Sequence, residues 1–247
     1  MAGAAAKESG RIHAWETAID DEIRQIAGDY ESGRGFQDRP ALLCIDNYNA
    51  VFGTRPEPLL EARQRFPSSC GLAAWEALVP TKQLMAAARA AGVPVIHTTH
   101  DDLTQSRRSR LAATKRSRRD ADPVWEHTFF PDLAPAGGEL VIRKVSAGAF
   151  FGTPLIAHLV QMGVNQLVVC GNSTSGCVRT SVVEGFMHGF RMAVVEDGVF
   201  DRNWLSHKIN LFDMHSKYAD VIFLEEALAY FAGLKAMNIA EVITREA

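Results

Sequence analysis

The chain reads as a doubly wound α/β fold, a six-stranded parallel sheet with helices on both faces. Three observations predict it. Six short apolar runs, at Ala41–Ile45, Val93–Thr99, Glu139–Arg143, Gln166–Cys170, Arg191–Val195 and Asp220–Leu224, are continuous rather than alternating, as strands covered on both faces must be. Segments with helical spacing separate them, which calls for parallel crossovers. Glycine closes several of these segments, at Gly92, Gly163 and Gly189, where a helix ends most readily.

Taken in order, residues 1–10 read as a frayed end. Ile12, Trp15, Ile19, Ile23 and Ile26 then form a one-sided stripe that predicts a helix. ESGRGFQDRP breaks it with two Gly and a Pro, so residues 1–35 form an N-terminal extension with one helix and residues 36–247 the α/β domain. Within that domain the predicted helices are Trp75–Ala91, Thr153–Met162, Gly176–His188, Arg202–Tyr218 and Glu226–Ala240.

Composition narrows the function. With 247 residues, 47% hydrophobic and 22% charged, the chain can bury a large core and is not disordered. A net charge of −3 argues against a general nucleic-acid binder. Four cysteines without CxxC or zinc spacing fit a reducing compartment rather than a disulfide scaffold. No apolar stretch is long enough to span a bilayer, and MAGAAAKESG has neither part of a signal peptide. A soluble cytoplasmic protein, with no nucleic-acid or membrane partner, is the expectation.

Ligands of doubly wound sheets bind beyond the carboxyl ends of the strands, so the polar residues there are the first candidates. Asp46 ends ALLCID, Lys144 ends ELVIRK, and GNSTSGC follows QLVVC. Cys177 then falls in the first turn of the helix Gly176–His188, where unpaired N–H groups and the helix dipole favour a thiolate and could hold an oxyanion. A carboxylate at a neighbouring strand end can serve as its base, and a lysine beside both can hold the carboxylate and stabilise negative charge. Taken singly, Asp46 and Lys144 could equally form an ordinary ion pair, and Cys177 could simply pack.

Other chemistries lack their signatures. GNSTSG is not G-x-S-x-G, and neither GxGxxG nor GxxxxGK[ST] is in place. His97 and His100 face opposite sides of a strand, which disfavours a shared metal. Arg107–Arg119 holds seven basic residues in thirteen and reads as a solvated surface run. Of the clustered aromatics, Phe150 and Phe151 lie close enough to Lys144 for one to line a pocket.

Three segments carry a family resemblance. ALLCIDNYNAVFG, VIRKVSAGAFFGTPL and VVCGNSTSGCVRTSVVEGFMHGFRMAVVEDGVFDR resemble the Asp, Lys and nucleophile segments of the isochorismatase-like cysteine hydrolases, above all the N-carbamoylsarcosine amidase group. The resemblance covers roughly residues 36–225 and makes residues 36–247 an isochorismatase-like hydrolase domain. It implies a triad of Asp46, Lys144 and Cys177, a cis peptide at Asn172–Ser173, and an oxyanion hole from the Ser173 and Cys177 N–H groups. It also implies substrate contacts from Arg202, whose fork suits a carboxylate, with Phe151 and Thr174, and a homo-oligomer, commonly a tetramer. Relatives that use a metal carry an Asp-x-His motif, but RPEPLLEARQR has no His, so no metal or other cofactor is implied. Cys177 itself points away from vinyl-ether cleavage. The expected activity is ammonia release from a small amide or ureide, carboxylate-bearing like N-carbamoylsarcosine, maleamate, ureidoacrylate, or a biuret-like compound. The alternatives are an amidase of a bulkier or aromatic amide and a non-enzymatic thiol sensor.

Overall fold

The computed structural model describes residues 10–28, 33–101 and 122–234. Its sheet holds β1 (Pro40–Ile45), β2 (Val95–His100), β3 (Leu140–Lys144), β4 (Gln166–Asn172), β5 (Arg191–Phe200) and β6 (Asp220–Ile222), in the order β3-β2-β1-β4-β5-β6. Every pairing is parallel. The helices are α1 (Asp21–Ala27), α2 (Asn49–Phe52), α3 (Leu59–Arg65), α4 (Leu72–Ala90), α5 (Pro123–Glu126), α6 (Leu155–Gln161), α7 (Arg179–Met187), α8 (Trp204–Lys217) and α9 (Leu224–Gly233).

The continuous apolar runs are explained by the two layers they feed. Strand β1 sends Ala41, Leu43 and Ile45 into a core shared with Leu155 and Leu159 of α6, Val182 of α7 and Leu211 and Met214 of α8. Leu42 and Cys44 point the other way, against Leu84 and Met85 of α4 and Phe231 of α9. All six residues of β1 are buried, because a strand between two helical layers has no solvent face. The chain reverses its direction of winding between β1 and β4. That switch point opens a crevice at the carboxyl ends of the strands.

Two expectations need correction. The stripe from Ile12 to Ile26 does not form one helix. Ala14–Thr17 is a single 3₁₀ turn, and α1 begins afresh where the Asp20 side chain accepts from the Ile23 N–H at 2.9 Å. Trp15 alone of the stripe is fully buried, stacked on His13, while Ile12, Ile23 and Ile26 are exposed. An apolar stripe with no core to face does not hold a helix together, and a good cap within it sets a new start. The second correction concerns Gly176–His188. Thr174–Val178 is a wide π-type turn, and regular helix starts only at Arg179, because Gly176 takes a non-helical conformation (φ −115°, ψ −105°). The last helix runs to Gly233, and the remainder of Glu226–Ala240 from residue 235 lies outside the described residues, as does the basic run Arg107–Arg119.

Candidate active site

The crevice at the switch point gathers the three residues expected there. Asp46 is the first residue past β1 and takes a left-handed conformation (φ 53°), one that Asp tolerates better than most residues. The turn directs its carboxylate to Lys144 at the end of β3, with Nζ 2.7 Å from Oδ2. Lys144 Nζ also reaches the Cys177 Sγ at 3.4 Å and the Ser146 carbonyl at 3.3 Å. Asp46 and Lys144 are almost wholly buried, and Cys177 is partly exposed. Cys44, Cys70 and Cys170 are buried in the core, so Cys177 is the thiol a solute can meet.

Thr98, which sequence reasoning missed, and the Gly171-Asn172 pair that opens GNSTSGC hold this arrangement. Thr98, on β2, donates to Asp46 Oδ1 at 2.7 Å and accepts from the Asp46 N–H at 3.2 Å, fixing the carboxylate at both ends. Asn172 Nδ2 donates to the Asp46 carbonyl at 2.6 Å. Gly171 allows β4 to approach β1 this closely: its φ is +108°, and a Cβ there would lie 2.0 Å from the Ile45 carbonyl oxygen. The Asn172–Ser173 peptide is cis, as the resemblance implied.

The nucleophile turn is tied down from behind. Asp201, at the end of β5, accepts from the Ser175 N–H at 2.9 Å and from its hydroxyl at 2.7 Å. The Ser181 hydroxyl donates to the Cys177 carbonyl at 2.7 Å and accepts from the Ala149 N–H at 3.0 Å, coupling the turn to the segment after Lys144. Glu184 takes the Phe150 N–H at 3.0 Å, over a Gly148 whose missing Cβ makes room for that carboxylate. An acidic residue directly after a strand's apolar run, as in VFDR, is the one sequence signal that would have suggested Asp201.

Electrostatics set the resting state. Burial and the neighbouring Asp46 charge push the Cys177 thiol up to about 12, and Lys144 only partly opposes them. For Lys144, burial works against the charge, but Asp46 and Cys177 outweigh it and raise its pKa. Lys144 therefore keeps its charge between the other two groups, and burial beside Asp46 favours the protonated thiol. Cys177 also stands outside the first turn of a regular helix, the place expected for it, because that helix starts only at Arg179.

The expected substrate contacts are less uniform. Phe151 is exposed, whereas its neighbour Phe150 is core. Thr174 is fully buried with its hydroxyl 2.9 Å from His207 Nδ1, so its side chain braces the turn rather than facing a substrate. Arg202 Nη2 donates to the Ser68 carbonyl at 2.8 Å, and its Nε is buried without a partner. The two histidines of HTTH part as expected, His97 bonding Glu139 at 2.9 Å and His100 lying against His127. Among the described residues no group of three His, Cys, Asp or Glu is placed to hold a metal, and no helix is long and apolar enough to cross a membrane.

Comparison with known proteins shows the family. The chain is 36% identical over 199 residues to a maleamate amidohydrolase of Pseudomonas putida, covering 78% of this chain and 87% of that protein. It is 33% identical over 208 residues to an N-carbamoylsarcosine amidase of an Arthrobacter species, covering 81% and 74%. A solved isochorismatase-family hydrolase from Chromobacterium violaceum superposes with a TM-score of 0.60 at 28% identity, covering 83% of this chain and 99% of that one. Residues 40–226 match the family described as the Isochorismatase domain, and the chain belongs to the isochorismatase family.

Proposed function

We propose that this hydrolase is a cysteine-dependent amidohydrolase that releases ammonia from a small amide or ureide through a thioester on Cys177. The observation that carries the reading is the buried Asp46–Lys144 pair with Lys144 Nζ on the Cys177 sulfur, beside the only partly exposed thiol of the four. The names of the two amidohydrolase relatives support the reaction class.

The chemistry follows from the resting charges. Cys177 attacks the amide carbon while its proton passes to the Asp46 carboxylate, so no free thiolate is needed beforehand. The carbonyl oxygen becomes an oxyanion facing the Ser173 and Cys177 N–H groups, with Lys144 as the neighbouring positive charge. Collapse breaks the carbon–nitrogen bond, and the proton on Asp46 leaves with the nitrogen as ammonia. Water then gives a proton to Asp46 and attacks the thioester. When the second intermediate collapses, Asp46 returns that proton to the departing sulfur.

A carboxylate-bearing substrate such as maleamate, N-carbamoylsarcosine or ureidoacrylate would use the remaining Arg202 donors as its anchor, with Phe151 at the mouth. The bond from Arg202 to Ser68 favours a second reading, in which Arg202 is structural and the substrate a bulkier or aromatic amide. Ammonia release across maleamate, N-carbamoylsarcosine, ureidoacrylate, biuret and a neutral aromatic amide tests both. The first reading expects turnover of an acid amide whose KM rises at least tenfold in Arg202→Gln; an unchanged KM selects the second. Activity retained in Cys177→Ala would remove both. A cytoplasmic homo-oligomer, tetrameric as the family resemblance implies, belongs to the same proposal.

A further inference from the structure

A cavity of about 330 Å³ opens far from this crevice, at the amino ends of the strands. Arg191 and Asp220, which begin β5 and β6, lie on its wall with Arg34, Phe186, Phe190 and Tyr218. The whole length of β4, about 20 Å at the rise of a strand, separates this end of the sheet from the Cys177 turn. We propose that the cavity is a second ligand site, for a small flat organic carboxylate, unrelated to the catalytic crevice.

The charges on its wall are unbalanced. Asp220 has both oxygens engaged by backbone, accepting from the Arg34 and Gly35 N–H groups at 3.0 Å each. The two guanidinium groups form no ion pair and no side-chain hydrogen bond among the described residues. Two like-charged groups on one concave surface repel each other, and an anion between them relieves that repulsion while taking up planar donor forks that match a carboxylate. Elsewhere on this protein arginines near carboxylates do pair, as Arg89 does with Glu139 and Arg11 with Asp197. Arg34 and Arg191 are left without such a partner although a carboxylate, Asp220, lies on the same wall.

The remaining wall selects the body of the ligand. The Arg34 guanidinium lies 5.7 Å from the Phe186 ring centre, and Phe186 meets Tyr218 edge-on at 5.5 Å and 67°. Phe190 adds a third ring. Aromatic walls around a cationic end suit a flat apolar acid better than a hydrated inorganic anion. Phe186 also sits near the end of α7, the helix that starts just after the Cys177 turn.

Calorimetric titration of the wild-type protein with benzoate, its neutral counterpart benzamide, and inorganic phosphate tests the site. Benzoate is expected to saturate, with benzamide and phosphate each about tenfold weaker or more. Arg34→Gln and Arg191→Gln are each expected to weaken benzoate about tenfold, while Arg202→Gln in the crevice leaves it unchanged. Unchanged benzoate affinity in both cavity variants, loss of binding in Arg202→Gln, or no saturation at millimolar benzoate would overturn the proposal. Phosphate binding as tightly as benzoate would also overturn it, leaving a bare charge patch. The benzoate-to-benzamide ratio is read on wild-type protein and depends on no variant folding.

Discussion

Replacing Asp46 by Asn should make Cys177 more reactive toward an alkylating agent while abolishing amide hydrolysis. Lys144 Nζ lies 2.7 Å from the Asp46 carboxylate and 3.4 Å from the Cys177 sulfur, so the two acidic groups are within roughly 6 Å of one another. At that distance and an effective dielectric constant near 20, a carboxylate disfavours a thiolate by about 3 kcal/mol, or about two pKa units. Asn keeps the shape but removes the charge, and Lys144 is left facing the sulfur alone. The thiolate population at pH 8 should rise about a hundredfold, and iodoacetamide alkylation nearly in proportion. The assay is the rate of carbamidomethylation at Cys177, mapped by mass spectrometry, with buried Cys44, Cys70 and Cys170 as internal controls. Equal or slower labelling in Asp46→Asn would refute the view that Asp46 holds the thiol protonated and receives its proton in the reaction.

Three further outcomes follow from the same contacts. Lys144→Met strands a buried carboxylate and should destabilise the fold by about 3–5 kcal/mol in urea unfolding; a loss under 1 kcal/mol would mean that the pair is far more hydrated than its burial implies. Gly171→Ala puts a Cβ onto the Ile45 carbonyl oxygen at a disfavoured φ, so it should cost about 3 kcal/mol or more and abolish activity, measured by thermal melting and ammonia release. For Glu139, burial pushes the carboxyl up, but the Arg89 fork, the Ala136 N–H and His97 outweigh it and hold it at about 2. A depressed carboxyl stabilises the fold above its unfolded pKa, near 4.5, and that stability, about 3 kcal/mol, is lost as pH falls toward 2. Glu139→Gln should flatten this part of the acid unfolding curve, and an unchanged slope would contradict the assignment.

What could be read from the chain was whatever depends on local pattern. Strands β1 and β4 announce themselves because burial on both faces leaves no polar position in ALLCI or, after Gln166, in LVVC, and their ends place Asp46 and Cys177 at the switch point. What could not be read depends on contacts across the sheet. Thr98 looks like any other strand threonine until β2 is set beside β1, with Thr98 opposite Ile45. The surroundings of Cys177 were likewise hidden, because local helix logic favours a thiolate while burial and Asp46, far away in the chain, oppose it. Arg202 is legible as a candidate but not as a residue partly committed to Ser68, since that bond joins segments 134 positions apart. The N-terminal stripe misled for the converse reason. Its period is helical, but apart from Trp15 it finds little of the core to bury against.

The most direct test of the account is whether an acyl group passes through the Cys177 sulfur. Rapid acid quenching during turnover of whichever panel amide releases ammonia, followed by peptide mass spectrometry, reads that intermediate. The expected result is the acyl mass on the Cys177 peptide during steady state, and neither adduct nor ammonia with Cys177→Ala. Ammonia release undiminished in Cys177→Ala would contradict the account, because the carbon–nitrogen bond would then be broken without the thiol.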